Sequence, residues 1–277
     1  MSGLNGPVAG VLGWPVTHSR SPLVHGHWLR RYGLRGAYVA LPTRPESLET
    51  AFRGLQALGF VGGNVTIPHK EAALALADAA TPRARRIGAA NMLLVRDGGI
   101  EADNSDGFGF IENLRAAAPG WRADAGPALV LGAGGAARAV VASLLDAGCG
   151  ELRLVNRTRA RAEALAEALG GPIRVLDWGE AAAAAGGAAT LVNCTSLGMA
   201  GAAPFDLPLD DAAPGALATD IVYAPLRTPF IVAAERRGLA TVDGLGMLLH
   251  QARPGFAAWF GAEPEVDEAL RAAALAA

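Results

Sequence analysis

The stretch from Ala128 to Asn156 constrains the fold more tightly than any other. Ala128-Leu129-Val130-Leu131 is an uninterrupted apolar run and reads as a buried strand. It passes directly into Gly132-Ala133-Gly134-Gly135-Ala136-Ala137, a G-x-G-x-x-A pattern, and helical sequence follows to Ala147. Leu152 to Asn156 supplies a second strand. Strand, glycine turn, helix and strand in this order make one βαβ unit, which commits this part of the chain to a parallel sheet. Glycines in that turn let backbone approach a pyrophosphate at the positive end of the helix. Gly132, Ala133, Gly134, Gly135 and Ala136 are therefore candidate dinucleotide contacts.

The end of the second strand selects the nucleotide. An NAD site usually carries an acid there for the ribose hydroxyls. Here the chain reads Asn156-Arg157-Thr158-Arg159-Ala160-Arg161, with no acid and several guanidinium groups able to pair with a 2′-phosphate. NADP is the expected cofactor. The blander reading is a solvated basic start to a helix over 158–169.

The rest of the chain alternates in the same way. Strands are expected at 8–13, 37–42, 61–66, 90–95, 99–104, 173–176, 190–194, 217–223 and 241–242. Ser21 reads as the N-cap of a helix to about Tyr32, with Pro22 at its first position. Pro68 reads as the start of another helix. Pro254-Gly255 lies inside a long helix that begins near Gly244, and should kink or break it. A last helix is expected from about Pro264 to Ala274. The fold class is α/β, with two domains.

Composition removes several functional classes. At 277 residues with 51% hydrophobic and 18% charged residues, the chain can bury a core without staples. A net charge of −2 with no basic run argues against nucleic acid or an anionic membrane as partner. The two cysteines, Cys149 and Cys194, lack metal or redox spacing, and fit buried thiols in a reducing cytoplasm. No signal peptide or membrane span is expected. His18, His25, His27, His69 and His250 form no ligand cluster, so no catalytic metal is expected.

Lys70 is the only lysine; every other basic side chain is arginine. An ammonium can lose its proton near neutral pH, and a guanidinium cannot. Lys70 closes the run Asn64-Val65-Thr66-Ile67-Pro68-His69-Lys70. Asn64 and Thr66 alternate by two along a strand, so both point to one side. A helix starting at Pro68 would put Lys70 in its first turn, where the helix dipole lowers the pKa. Ser19 and Ser21 sit at another helix start and suit a carboxylate, or serve as caps alone. His69 reads as a core or surface histidine, or as a second titrating group.

Together these pieces resemble the shikimate dehydrogenase family along nearly the whole chain. The matching segments are Ser19-Arg20-Ser21, Asn64 through Lys70, Asn91, Asn104-Ser105-Asp106-Gly107, Gly132 through Arg138 and Asn156-Arg157-Thr158. They continue with Asn193 through Met199, Asp220-Ile221-Val222-Tyr223, and Asp243 through Gln251. The resemblance implies NADPH-dependent reversible reduction of 3-dehydroshikimate to shikimate, in aromatic biosynthesis. It implies a cleft between a substrate domain, 1–104 with 244–277, and a Rossmann-type NADP domain, 105–243. By the same resemblance Lys70 and Asp106 are the catalytic pair. Ser19 and Ser21 would hold the substrate carboxylate with Tyr223 nearby. Asn64, Thr66, Asn91 and Gln251 would contact ring hydroxyls. Asn156, Arg157, Thr158 and Arg161 would hold the adenosine side of the cofactor, and Thr195, Ser196, Ile221, Gly244 and Met247 complete its contacts. Asp106 would raise the pKa of Lys70 against the helix dipole, which leaves the net direction open.

Three departures from the family pattern stand out. Ser105 occupies a position where Thr is common, His69 one where an apolar ring is frequent, and Arg253-Pro254-Gly255 replaces ordinary helix formers after Gln251. A kink there would tilt Gln251. The alternatives are a quinate/shikimate dehydrogenase with relaxed cofactor choice, a related dehydrogenase acting on a folate or an amino acid, and a non-catalytic NADP-binding module. The expected partner is a small-molecule substrate. Oligomeric state stays open, with a homodimer among the options.

Overall fold

The structure is a computed structural model and describes residues 6–276. The chain divides into two compact units, one running to Ser105 and taken up again from Leu249, the other running from Asp106 to Leu248.

In the first unit the order is β1 (Val8–Gly13), α1 (Ser21–Arg31), β2 (Ala37–Pro42), α2 (Leu48–Ala57), β3 (Gly62–Val65), α3 (Lys70–Leu76), β4 (Ala79–Ala80), α4 (Pro82–Ile87), β5 (Met92–Arg96) and β6 (Gly99–Asp103). The strands form one mixed sheet in the order β2-β1-β3-β5-β6-β4. β1 pairs parallel with β2 and β3, and β5 pairs antiparallel with β3 and β6. β5 and β6 close across Asp97-Gly98, with Arg96 opposite Gly99, the two-residue hairpin that Asp-Gly favours. Leu12, Phe52, Leu55, Val65, Leu93 and Ile100 lie buried together beneath α2 and α3.

Two helix starts differ from the sequence expectation. α1 begins at Ser21, so Arg20 takes the N-cap place and caps nothing with its side chain. Ser19 does the local work instead, its Oγ accepting from the Ser21 N–H at 3.3 Å. α3 begins at Lys70, not Pro68; Pro68 and His69 lie in the turn that leads out of β3, where the His69 N–H donates to the Thr66 carbonyl at 2.9 Å.

The second unit contains α5 (Asp106–Ala117), β7 (Ala128–Leu131), α6 (Gly135–Asp146), β8 (Leu152–Val155), α7 (Arg159–Leu169), β9 (Ile173–Leu176), α8 (Ala181–Ala184), β10 (Thr190–Asn193), β11 (Leu217–Asp220), α9 (Pro229–Arg236), β12 (Ala240–Val242) and the start of α10 (Leu245–Phe260). Its sheet runs β12-β11-β10-β7-β8-β9, and every pair is parallel. Counted from β7, that is the doubly wound order in which the connection reverses direction between β7 and β10. β11 stops at Asp220, three residues short of the expected end. β7 is buried on both faces. Ala128 and Val130 pack with Leu152, Leu154 and Phe110, while Leu129 and Leu131 pack with Leu191, Ala218 and Phe230. The two-residue period thus feeds two separate apolar layers, each buried Leu or Val contributing about 1.5–3 kcal/mol relative to exposure.

α10 runs unbroken through Pro254. Proline removes one helical hydrogen bond, but contacts outside the helix hold the path. Trp259 Nε1 donates to the Leu93 carbonyl at 3.0 Å, and Arg253 Nε donates to the Pro264 carbonyl at 3.0 Å. Gly255 has a reason to be glycine, since a Cβ there would stand 2.6 Å from the Trp259 ring. α11 (Glu268–Leu275) follows, later than expected, capped by Asp267, whose carboxylate accepts from the Leu270 N–H at 2.9 Å.

Candidate active site

In the first unit the polar side chains gather where β3 and β6 end and β5 begins. Lys70 is the first residue of α3 and is half-buried, and its carbonyl accepts from the Ala90 N–H at 2.8 Å. That bond ties the head of α3 to the segment that carries Asn91. Asn91 is buried and acts as a hub. Its Oδ1 accepts from the Ser105 N–H at 2.7 Å, and its Nδ2 donates to Gln251 Oε1 at 3.1 Å and Ser105 Oγ at 3.1 Å. The serine hydroxyl at 105 thus serves the hub. Gln251 is itself buried and held by Asn91, one turn before Pro254, so the proline does not displace it. Thr66 follows β3 and is half-buried, its methyl lying against Gly13, where a Cβ would come within 2.4 Å.

His69 resolves as a core histidine. It is buried and its Nε2 lies 2.7 Å from the Thr43 carbonyl. A carbonyl only accepts, so Nε2 carries the proton and fixes the tautomer. The contact pins the start of α3 to the residue just beyond β2.

A deeper layer sits behind Asn64. Its Oδ1 accepts from the Tyr38 hydroxyl at 2.6 Å, and its Nδ2 donates to the Asn91 carbonyl at 3.0 Å. Tyr38 stacks on His25, with ring centroids 3.9 Å apart and planes within 5°. Burial pushes the Tyr38 phenol well above its usual pKa, so it stays a donor; hydrogen bonds from the Asn64 backbone and the Ser21 hydroxyl oppose that shift. Burial also pushes His25 down to about 3, against a weaker pull from Asn64. The unfolded state therefore binds a proton that the folded state refuses below about pH 6.5, so stability falls as pH drops from there toward 3. We predict a loss of roughly 2 kcal/mol between pH 6.5 and 5. Urea melts across that range should show it, and His25→Phe, which keeps a ring on Tyr38, should flatten the slope.

The junction into α5 has its own support. Asp103 is buried and accepts from Thr81 Oγ1 at 2.6 Å, from the Asn104 N–H at 2.7 Å and from the Arg83 guanidinium. Asn104 Nδ2 donates to the Ala89 carbonyl at 2.8 Å. Asp106 opens α5 as a buried residue of the second unit.

In the second unit Gly132 has φ +110°, and a Cβ on it would meet the Cys194 carbonyl at 2.9 Å. Glycine is needed there so that the ends of β7 and β10 can come together. Ala133 is buried behind the turn, while Gly134, Gly135 and Ala136 are half-buried at the head of α6. A Cβ on Gly134 would meet nothing within 4 Å, so the space over the helix head is open. No acid stands in the first turn of α6 or α7. Asn156 follows β8, its Nδ2 donating to the Thr158 carbonyl at 2.8 Å. Arg157, Thr158 and Arg161 are exposed. Arg157 forms no ion pair with any described residue, whereas Arg159 is taken up by Glu163 at 2.8 Å and Asp177 at 2.8 Å. These residues fit a 2′-phosphorylated dinucleotide: open backbone at a helix head, a cation at the second strand's end and no opposing carboxylate.

The loop after β10 is fixed from below. Asn193 is fully buried; its Oδ1 accepts from Thr195 Oγ1 at 2.7 Å and the Thr195 N–H at 3.0 Å, and its Nδ2 donates to Asp220 at 3.0 Å. Asp220 also accepts from Thr228 Oγ1 at 2.7 Å and the Val222 N–H at 2.9 Å. Burial raises the Asp220 pKa, and those donors offset part of the rise. The network sets the loops that carry Thr195, Ser196, Ile221 and Tyr223. Gly244 lets the turn before α10 lie on the β11 exit, since a Cβ would stand 2.6 Å from the Val222 carbonyl. Met247 is buried in the apolar layer beside Phe110.

Sequence reading missed Tyr38, His25, Asp103 and the Thr228 link. Tyr38 and His25 carry no local pattern, because their partners lie on other strands. Asn193 and Asp220 had a signal, a polar residue ending an otherwise apolar strand.

Comparison with known proteins agrees with this architecture. The shikimate dehydrogenase substrate binding domain model matches residues 11–93, and the shikimate / quinate 5-dehydrogenase model matches residues 120–197. The chain is 64% identical to the NADP(+) shikimate dehydrogenase of Rhodospirillum rubrum, over 97% of this chain and 96% of that protein. It is 60% identical to that of Paracoccus denitrificans, over 98% and 96%. The crystal structure of shikimate 5-dehydrogenase from Thermus thermophilus in complex with NADP(H) and shikimate superposes with a TM-score of 0.87 at 40% identity, covering 98% and 99% of the two chains. Quinate dehydrogenase from Corynebacterium glutamicum, in complex with NAD, reaches a TM-score of 0.86 at 28% identity and covers 98% and 99%. Sequence and fold match these relatives along almost the whole length, and the chain belongs to the shikimate dehydrogenase family.

Proposed function

We propose that this chain catalyses the reversible reduction of 3-dehydroshikimate to shikimate with NADPH, a step of aromatic biosynthesis. The observation that carries it is the gathering, at one end of the first unit's sheet, of Lys70 with Asn64, Thr66, Asn91 and Gln251. A lone titratable amine among fixed amides and a hydroxyl suits a polyhydroxylated ketone or alcohol. NADPH supplies the hydride when bound, and Gly132, Ala133, Gly134, Gly135, Ala136, Asn156, Arg157, Thr158, Arg161, Thr195, Ser196, Ile221, Gly244 and Met247 are the residues assigned to hold it. Ser19 and Ser21 take the substrate carboxylate, with Tyr223 nearby. Lys70 Nζ gives a proton to the ketone oxygen as that oxygen gains negative charge, and Asp106 is its carboxylate partner. In the reverse direction the neutral amine takes the hydroxyl proton. The unit up to Ser105 with the segment from Leu249 is the substrate domain in this reading, and the unit from Asp106 the cofactor domain.

The test is turnover of 3-dehydroshikimate with NADPH by the wild-type protein, with NADH and quinate as alternates. Preference for NADH would overturn the cofactor assignment. For Arg157→Ala we predict NADPH affinity lowered about 10–100-fold, the weight of a charge-assisted hydrogen bond, with NADH nearly unaffected. Equal loss for both cofactors would make Arg157 structural.

No helix among the described residues is long and apolar enough to cross a membrane. A cytoplasmic setting belongs to the proposal, supported by the two free cysteines, Cys149 and Cys194. A homodimer is the assembly to test first, by light scattering.

A further inference from the structure

We infer that Tyr38 is a positioning residue of the substrate site: its hydroxyl turns the Asn64 carboxamide so that Asn64 meets the substrate only as a hydrogen-bond donor. The inference rests on the functional reading above and deepens it.

The side-chain amide of Asn64 has an oxygen that accepts and a nitrogen that donates, and its orientation is decided by what surrounds it. The nitrogen lies 3.0 Å from the Asn91 carbonyl. That carbonyl can only accept, so the nitrogen must face it. The oxygen lies 2.6 Å from the Tyr38 hydroxyl. The fully buried ring of His25 lies on the face of Tyr38. The acceptor end of Asn64 is thus turned inward among aromatic rings. The donor end keeps one N–H beyond the bond to Asn91.

Tyr38 is held firmly enough to impose this. It is buried, stacked on His25 and tilted against Trp259 with ring centroids 6.0 Å apart. Without the Tyr38 hydroxyl the Asn64 oxygen loses its donor, and only the bond from its nitrogen to the Asn91 carbonyl still opposes an orientation with the acceptor outward. A substrate oxygen that needs a donor then meets a mixture of orientations. Tyr38 itself need not touch the substrate.

The experiment combines kinetics with a structure. Tyr38→Phe keeps the ring stack and removes only the hydroxyl. We expect the KM for shikimate to rise about 10-fold, within the weight of a hydrogen bond to a neutral group, with kcat changed less than about 3-fold. In the Asn64→Ala background the same change should leave KM within about 2-fold, because the effect runs through Asn64. An equal KM rise in both backgrounds would overturn the inference, and so would an unchanged KM in the single variant. The crystal structure of unliganded Tyr38→Phe is the arm independent of substrate. It should show the Asn64 amide rotated or in two orientations. A single conformer with the Asn91 bond intact would overturn the inference whatever the ligand. Failure of the wild type to turn over shikimate would instead overturn the functional reading and leave this crystallographic arm to decide the role of Tyr38.

Discussion

Lys70→Ala is expected to lower kcat for 3-dehydroshikimate reduction by roughly 10²–10⁴-fold, the usual contribution of one general acid, with little change in KM. Hydride arrival at the carbonyl carbon drives charge onto the oxygen, and a nearby ammonium removes that charge by giving up a proton. Alanine leaves only water for the task. In the proposed reading, the substrate is recognised by the amides of Asn64, Asn91 and Gln251 and the hydroxyl of Thr66 rather than by the lysine. The head of α3 should survive as well, because the Ala90 N–H bonds to the Lys70 backbone carbonyl and not to its amine. Lys70→Arg sharpens the test. It keeps the positive charge but holds its protons too tightly to give one up near neutral pH, so a proton-transfer role predicts that arginine restores little. Wild-type turnover in the alanine variant, or full rescue by arginine, would remove Lys70 from the chemistry. Steady-state kinetics on variants with matched melting curves would separate these outcomes.

Gly62→Ala should destabilise the first unit by roughly 2–5 kcal/mol, from overpacking together with a buried carbonyl left unpaired. Gly62 opens β3 with φ +154°, and a Cβ there would stand 2.2 Å from the Leu93 carbonyl and 2.3 Å from Trp259 Nε1. Those two atoms are partners in a 3.0 Å hydrogen bond that seats α10 on the sheet. A methyl group would enter between them. Neither partner moves easily, since Leu93 lies within β5 and Trp259 is buried among aromatic rings. Gly54→Ala serves as the matched control. It lies in α2 with nothing within 4 Å of its added Cβ, so it should be neutral or stabilising by about 0.5–1 kcal/mol. Thermal melts of both variants would decide. An unchanged midpoint for Gly62→Ala would mean that Trp259 yields freely and that its hydrogen bond adds no stability.

The parallel sheet of the second unit could be read from sequence because its information is local. Ala128 to Leu131 are apolar without a break, the glycines follow at once, and both features arise from contacts made by that one segment. The proposal of Asn64 and Thr66 came from local pattern too, the two-residue period of a strand, although β3 ends at Val65, one residue before Thr66. Tyr38 was not legible, because it reads as one aromatic among strand residues and acquires a role only when β2 and β3 both lie beside β1. The Asp103 cluster was hidden similarly, since its side-chain donors, Thr81 and Arg83, come from the N-cap and first turn of α4. Pro254 misled because proline's local cost is real, while the contacts that hold the helix, from Trp259 to Leu93 and from Arg253 to Pro264, depend on tertiary structure. Ser21 misled by one residue, since the helix begins at Ser21 itself and Ser19 took the backbone contact.

The restriction of lysine to one position, among 24 Lys and Arg residues, bears on how the site can be labelled. It makes the half-buried amine at the head of α3 individually addressable. A reagent selective for ε-amines finds one side-chain target per chain. Reductive methylation with isotopically labelled formaldehyde would therefore place a single side-chain reporter on the residue assigned to the proton transfer. Its resonance would report the microscopic titration of that amine without deconvolution from other lysines.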